Sequence, residues 1–237
     1  MPQRGRDMPN IDDAALLAAE VRDRLPDEGY VHIVRVLPEE VFTSAAQNLG
    51  TIELRTDIRV DAHADDALRR ARDPVHAGRP SVYRAAGLSY HTDSPVVDVL
   101  AWYCVEQDAL DGTSTLVDTG DMPQHFDDDE LAVLSRVRVR TMSRDAEDRE
   151  IVLEYPLLAA GKVYYAPWLL SPDLGERERE VAGRFADYLA QKDATDPIRI
   201  RLKPGEALFV DNHRILHGRS TIPPDSRRHL VRLYIRT

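Results

Sequence analysis

Apolar residues recur along this chain at two periods, and the change from one to the other marks out its elements. Ala14, Leu17, Ala18, Val21 and Leu25 return every three to four positions, the spacing of one helix face, and Pro26 predicts the end of that helix. The run YVHIVRV, residues 30–36, predicts a strand. Pro38 then stands at a helix-starting position, Val41, Ala45 and Leu49 keep one face, and Gly50 supplies a stop. From 55 to 80 the text turns polar, rich in Arg, Asp and Ala and without a clean period. That stretch predicts a lid or mobile loop, or a short helix near 65–72. Residues 1–10 read as a flexible arm.

Beyond residue 80 strand-like runs dominate. Residues 96–105 form a mostly apolar run, while 137–141, 151–155 and 198–202 alternate apolar with polar. Pro204–Gly205 makes a turn into 206–211, and a last strand is expected over 229–236. Two helical stretches intervene, one near 129–134 and one carrying Val181, Phe185, Tyr188 and Leu189 on a single face. Short strands with flanking helices predict a mainly β domain whose two sheets pack as a jelly roll, one domain over 1–237.

Composition narrows the function classes. A net charge of −10 removes the basic footprint that nucleic acid demands. No apolar run reaches bilayer length, and the opening residues lack a signal-peptide stretch, so a cytoplasmic protein acting on small molecules is expected. The single cysteine, Cys104, excludes a multi-cysteine metal site and is expected to be a buried small hydrophobe.

Three of the eight histidines open a His-x-Asp triplet, at His63, His91 and His125. His63 lies in the polar stretch, where a solvated histidine is expected. His125 precedes Asp127, Asp128 and Asp129, which read as a helix-capping cluster. His91 and Asp93 precede the apolar run and, on an extended chain, point to one side. A distant third donor would complete a facial triad of two imidazoles and a carboxylate, the donor set of non-haem ferrous enzymes, and His217 is the candidate. On a terminal strand Arg228, Leu230, Arg232 and Tyr234 share a face, placing two guanidinium groups inside. Buried arginines call for an anion, and the planar fork of Arg228 suits a carboxylate.

Four blocks in order, LSYHTD, DGTSTLVD, LKPGEALFVDNHRILHGRS and RRHLVRLYIR, resemble the taurine dioxygenase and clavaminate synthase-like family of iron(II)- and 2-oxoglutarate-dependent oxygenases. The resemblance implies a double-stranded β-helix, the cupin-like jelly roll, with His91, Asp93 and His217 as iron ligands. It implies Thr115 (with Thr113 as the alternative) and Arg228 as contacts to 2-oxoglutarate, and Arg232 as a contact to substrate or a support for the cosubstrate site. Dioxygen is then the other cosubstrate, and succinate and CO2 are products. Hydroxylation of a small metabolite, an amino acid or natural-product intermediate, is the default outcome; desaturation and cyclisation use the same ligands. Asp93 disfavours halogenation, which needs a small residue there.

Tyr90 and Arg84, flanking the metal triplet, are candidate substrate contacts. Tyr164, Tyr165 and Trp168 either line a pocket or pack a loop, Trp102 and Tyr103 read as core, and Asp211–Asn212 as support near His217. Two other readings compete: a cupin-type metalloenzyme that does not use 2-oxoglutarate, and a non-catalytic jelly-roll binding module. A buried carboxylate partner for Arg228 separates the first from the oxygenase, and metal binding separates the second.

Overall fold

The computed structural model describes residues 11–60, 80–108, 111–144 and 149–237. Helix α1, Ile11–Glu28, leads into strand β1, Tyr30–Ile33; α2, Glu39–Leu49, leads into β2, Thr51–Arg59. Then come β3, Leu88–His91; β4, Val99–Glu106; β5, Ser114–Asp118; and α3, Asp128–Leu134. Two hairpins follow, β6, Arg138–Arg144, with β7, Glu150–Pro156, and β8, Leu158–Ala159, with β9, Lys162–Val163. Helix α4, Glu176–Thr195, precedes β10, Ile198–Ile200; β11, Ala207–Asp211; β12, Ile215–Arg219; and β13, His229–Arg236.

Two antiparallel sheets form the predicted jelly roll, ordered β1-β11-β4-β13-β2 and β10-β5-β12-β3. Side-chain alternation divides their residues among three apolar clusters. On the outer face of the five-stranded sheet, Phe209, Val231, Leu233 and Ile235 pack with Leu17, Val21 and Phe42 of α1 and α2. Between the sheets lie Leu100, Trp102, Leu116, Leu208, Ile215 and Leu230. Behind the four-stranded sheet, Val117 and Leu216 meet Leu134 and Phe185 of α3 and α4. Helix α3 begins with a capping box between Asp127 and Glu130, the role expected of the acidic cluster after His125.

Several boundaries depart from the sequence reading. Pro26 lies inside α1, which continues to Glu28 because Arg214 Nη1 donates to the carbonyls of Pro26 and Asp27 at 2.9 and 3.1 Å, satisfying the helix end. Strand β1 stops at Ile33, leaving Val34 and Val36 exposed. Residues 55–59, expected in a lid, belong to β2, paired with β13 from Arg55↔Leu233 to Arg59↔His229. Ile52, Leu54 and Ile58 alternate with Glu53, Arg55 and Asp57 along β2, but residues 55–59 by themselves hold one apolar side chain, Ile58, and so read as polar. Residues 61–79 of the proposed lid, its alternative helix, His63 and the arm 1–10 lie outside the described residues.

Candidate active site

His91 and His217 are directly opposite each other on β3 and β12, and cross-strand partners share a face, so both rings enter the space between the sheets. Their centroids are 4.3 Å apart. Asp93 is two residues past the end of β3 and reaches them through a bend rather than along a strand. The bend is fixed from both sides. Thr92 N donates to Tyr165 O at 2.8 Å and Thr92 Oγ1 accepts from Tyr165 N at 2.9 Å. Asn212 Oδ1 accepts from Asp93 N at 3.0 Å, while Asn212 Nδ2 donates to the carbonyls of Ser94 and Val97. Asn212 is thus the support that its place near His217 predicted.

Asp93 Oδ1 is 3.7 Å from His91 Nε2, and Asp93 Oδ2 is 3.7 Å from His217 Nε2. The three donor atoms lie within 4.8 Å of one another. His91 Nδ1 donates to Ser89 O at 2.8 Å, which leaves the Nε2 lone pair facing the other two donors. Burial lowers the pKa of His91 and, with His91 adding to it, pushes that of His217 down to about 3, so both rings are neutral and could serve as ligands. Burial works to raise Asp93, but Arg232 and the two imidazoles outweigh it and hold the carboxyl at about 2. Arg232 Nη1 donates to Asp93 Oδ2 at 2.9 Å, and Tyr234 bonds the same carboxylate while lying 4.7 Å below the guanidinium. Two neutral imidazoles and one ionised carboxylate fit a divalent first-row metal.

Beside the donors lies a narrow cavity whose polar lining includes Ser114, Arg219, Arg228 and Arg232. Arg228 is 5% exposed, its Nε has no hydrogen-bond partner, and no described carboxylate pairs with it. Burial, then the like charge of Arg219, pulls its pKa down to about 10. Gly112, at φ 70°, presses against its stem: a Cβ there would be 2.8 Å from Arg228 Cδ.

Thr115 does not face this cavity. Its neighbours Ser114 and Leu116 do, because Leu116 is the cross-strand partner of His217 and shares its side. Thr115 instead bonds the Tyr90 hydroxyl behind the four-stranded sheet. Thr113 is not among the lining residues either, so the serine between the two threonines is the hydroxyl in place. Tyr90 is likewise corrected. Adjacent to His91 on a strand, it must point the other way, and its hydroxyl bonds Asp193, with Arg199 3.4 Å from it. Arg84 enters through its carbonyl, which accepts from Arg219, and its side chain lines neither cavity. Arg232 pairs with Asp93, a role its sequence did not announce, and also lines the wider cavity.

A second, wider cavity of about 500 Å³ opens on the other side of His91, Asp93 and Arg232. Its wall includes Leu153 and Tyr155 of β7, Tyr164, Leu169 and Val96, and the Trp168 ring is 5.0 Å from that of His91. Of the three aromatics left open by the sequence, Tyr164 and Trp168 line this cavity, whereas Tyr165 stacks edge-on with Phe185 in the core. Trp102, read as core, also borders the narrow cavity, 5.1 Å from the His217 ring. Cys104 is buried with its thiol pushed up to about 11, inert as expected. Val82 and Leu88 belong to the walls of both cavities.

A jelly roll that gathers two histidines and an aspartate beside an interior arginine with no carboxylate partner among the described residues has the outline of a non-haem metal oxygenase of the 2-oxoglutarate-dependent class. The chain belongs to the family described as "Taurine catabolism dioxygenase TauD, TfdA family", whose sequence profile matches residues 2–234. It is accordingly an iron(II)- and 2-oxoglutarate-dependent dioxygenase. No curated protein matches it significantly. Similar solved structures include asparagine oxygenase in complex with Fe(II), 2S,3S-3-hydroxyasparagine and succinate, at 18% identity and TM-score 0.69, covering 94% of this chain and 80% of that one. The non-haem iron oxygenase OrfP in complex with Fe, succinate and (3S)-hydroxy-L-Arg is also similar, at 18% identity and TM-score 0.63, covering 96% of this chain and 80% of the other. Both have the double-stranded β-helix fold. No helix among the described residues is long and apolar enough to cross a membrane.

Proposed function

We propose that this dioxygenase hydroxylates a carbon of a free amino acid or a similarly small metabolite, with His91, Asp93 and His217 holding iron(II) and Arg228 with Ser114 holding the far carboxylate of 2-oxoglutarate. When bound, iron(II) and 2-oxoglutarate supply the oxidising chemistry: one dioxygen is consumed, one of its atoms goes to the substrate, and the diacid leaves as succinate and CO2. The protein's part is positional. Ser89 fixes His91, Asn212 and Arg232 fix Asp93, and Arg228 offers a planar fork to the diacid in the narrow cavity. Trp168, Tyr164, Tyr155 and Leu153 give the wider cavity one largely apolar wall, which favours a substrate with an uncharged side chain. Asp93 is the one acid in that described wall, and it is already paired with Arg232. The hydroxylated amino acids bound by asparagine oxygenase and OrfP support an amino-acid substrate. The acidic balance of the chain supports a small-molecule partner over nucleic acid, and a cytoplasmic setting matches its lone, buried thiol.

The observation that carries this reading is Arg228, a buried guanidinium without a carboxylate partner among the described residues, next to three converging donors. A cupin-type reaction without 2-oxoglutarate gives that charge nothing to bind. The test is a succinate-release screen over neutral, acidic and basic amino acids. Release stimulated by a neutral amino acid, with a product heavier by one oxygen atom, is the expected result. Stimulation by none of the panel would remove amino acids as the substrate class.

A further inference from the structure

Arg219 ends β12 with its side chain in the same narrow cavity as Arg228, 7% exposed, and the function proposed above leaves it without a task. A guanidinium this deeply buried calls for an anion. Among the described residues it has no carboxylate partner. Nη2 instead donates to the carbonyls of Arg84 and Ala86, each at 2.6 Å, and Nη1 to that of Val82 at 3.4 Å, while Nε has no hydrogen-bond partner. Three carbonyls of one short segment therefore converge on one cation. That segment, between residue 80 and the start of β3, has neither helix nor strand to order it. Other ties of the segment include Arg84 N to Ser81 O at 3.1 Å, Tyr83 N to Ser81 Oγ at 3.3 Å and Ile222 N to Ala85 O at 2.9 Å, and Gly87 lies close enough that a Cβ would be 3.1 Å from Arg219 O. Val82 and Leu88, at its two ends, form wall in both cavities. One side chain thus touches the diacid cavity at its charged end and braces the partition between that cavity and the substrate's.

We propose that Arg219 is a positioning residue that gives the far carboxylate of 2-oxoglutarate a second cationic contact and transmits occupancy of the diacid cavity to residues 82–87, so that the substrate wall is set only once the cosubstrate is in place. The proposal rests on the reading that the narrow cavity takes 2-oxoglutarate. With the diacid present, its negative charge relieves the repulsion between Arg219 and Arg228 and keeps the fork turned toward the three carbonyls. Without it, two like charges share the cavity and the brace on the segment slackens.

Amide hydrogen exchange in anaerobic, iron(II)-loaded protein tests this, with and without 2-oxoglutarate. In the wild type, the diacid should slow exchange across 82–87 by about tenfold or more, as expected when roughly 1.4 kcal/mol of opening free energy is added. In Arg219→Met the diacid should still bind through Arg228, about tenfold more weakly, and leave exchange of 82–87 unchanged. Arg219→Lys, which keeps the charge but loses the fork, should retain most of the affinity and little of the protection. Substrate KM should rise in both variants more than kcat falls. Diacid-dependent protection equal to wild type in both variants would overturn the proposal. So would wild-type binding of 2-oxoglutarate without any change in exchange, and that outcome would leave the dioxygenase reading standing. Failure of the wild type to bind 2-oxoglutarate would remove that reading and this one together.

Discussion

Strand β13 has two faces, and they have opposite characters. Toward the helices, Val231, Leu233 and Ile235 join a fully apolar cluster with α1 and α2. Toward the cavity, Leu230, Arg232 and Tyr234 follow Arg228 into a space that also receives Arg219. The side-chain nitrogens His217 Nδ1 and Nε of Arg219, Arg228 and Arg232 are buried there without partners. The helix side follows the rule that burial of polar groups is compensated, and the cavity side departs from it at four atoms. Departure of this kind destabilises a fold unless a ligand completes it, so one face of the strand builds the protein and the other builds its site.

The largest effect separates the donors from everything else. His91→Ala or His217→Ala should leave no succinate release above background while urea unfolding stays cooperative. Next comes a crossed pair on β13 and the residue before it. Leu233→Ala should lower stability by about 2–5 kcal/mol in urea unfolding, with the 2-oxoglutarate requirement unchanged in the folded fraction. Arg228→Met should do the reverse. Replacing a buried unpaired charge should be neutral or stabilising, while loss of a charge-assisted contact of about 1.5–3 kcal/mol raises the 2-oxoglutarate KM by roughly 10- to 150-fold. Identical stability losses in the two variants would mean that the faces do not differ as described. A smaller contrast divides β5: Ser114→Ala should raise the 2-oxoglutarate KM by a few fold, the loss of one neutral hydrogen bond, and Thr115→Ala should not change it. The smallest expected change is Tyr90→Phe, which removes the bond to Asp193 and should leave substrate KM unaltered.

How much of this could be read from the residues alone follows from the range of each signal. The His91–Asp93 pair drew notice through its two-residue spacing, although a bend and not a strand brings Asp93 round. Arg228 drew notice through its register with the terminal strand, and His217 only through the text around it and the four-block resemblance. The same local rule excludes Tyr90, since a neighbour of an inward residue on a strand faces outward. Thr115 could not be excluded that way. Which residues of β5 face inward depends on the pairing of Leu116 with His217, about a hundred positions apart, and a slip of one residue exchanges the faces. The second half of β2 was hidden because only Ile58 continues the alternation that Ile52 and Leu54 begin, and its polar neighbours run on into the polar stretch that follows. Arg219 was in view beside His217 and Gly218, yet its partners are carbonyls, which every residue has, so nothing in the composition of residues 82–86 reveals them. Trp168 and Tyr164 showed their bulk but not their direction.

Anaerobic calorimetric titration of 2-oxoglutarate into the protein, with and without one equivalent of iron(II), bears most directly on the claim that three donors and one guanidinium hold this pair together. Saturable binding that requires iron, is lost in His217→Ala and is weakened in Arg228→Met is the expected result. Binding indifferent to iron and to both substitutions would contradict it.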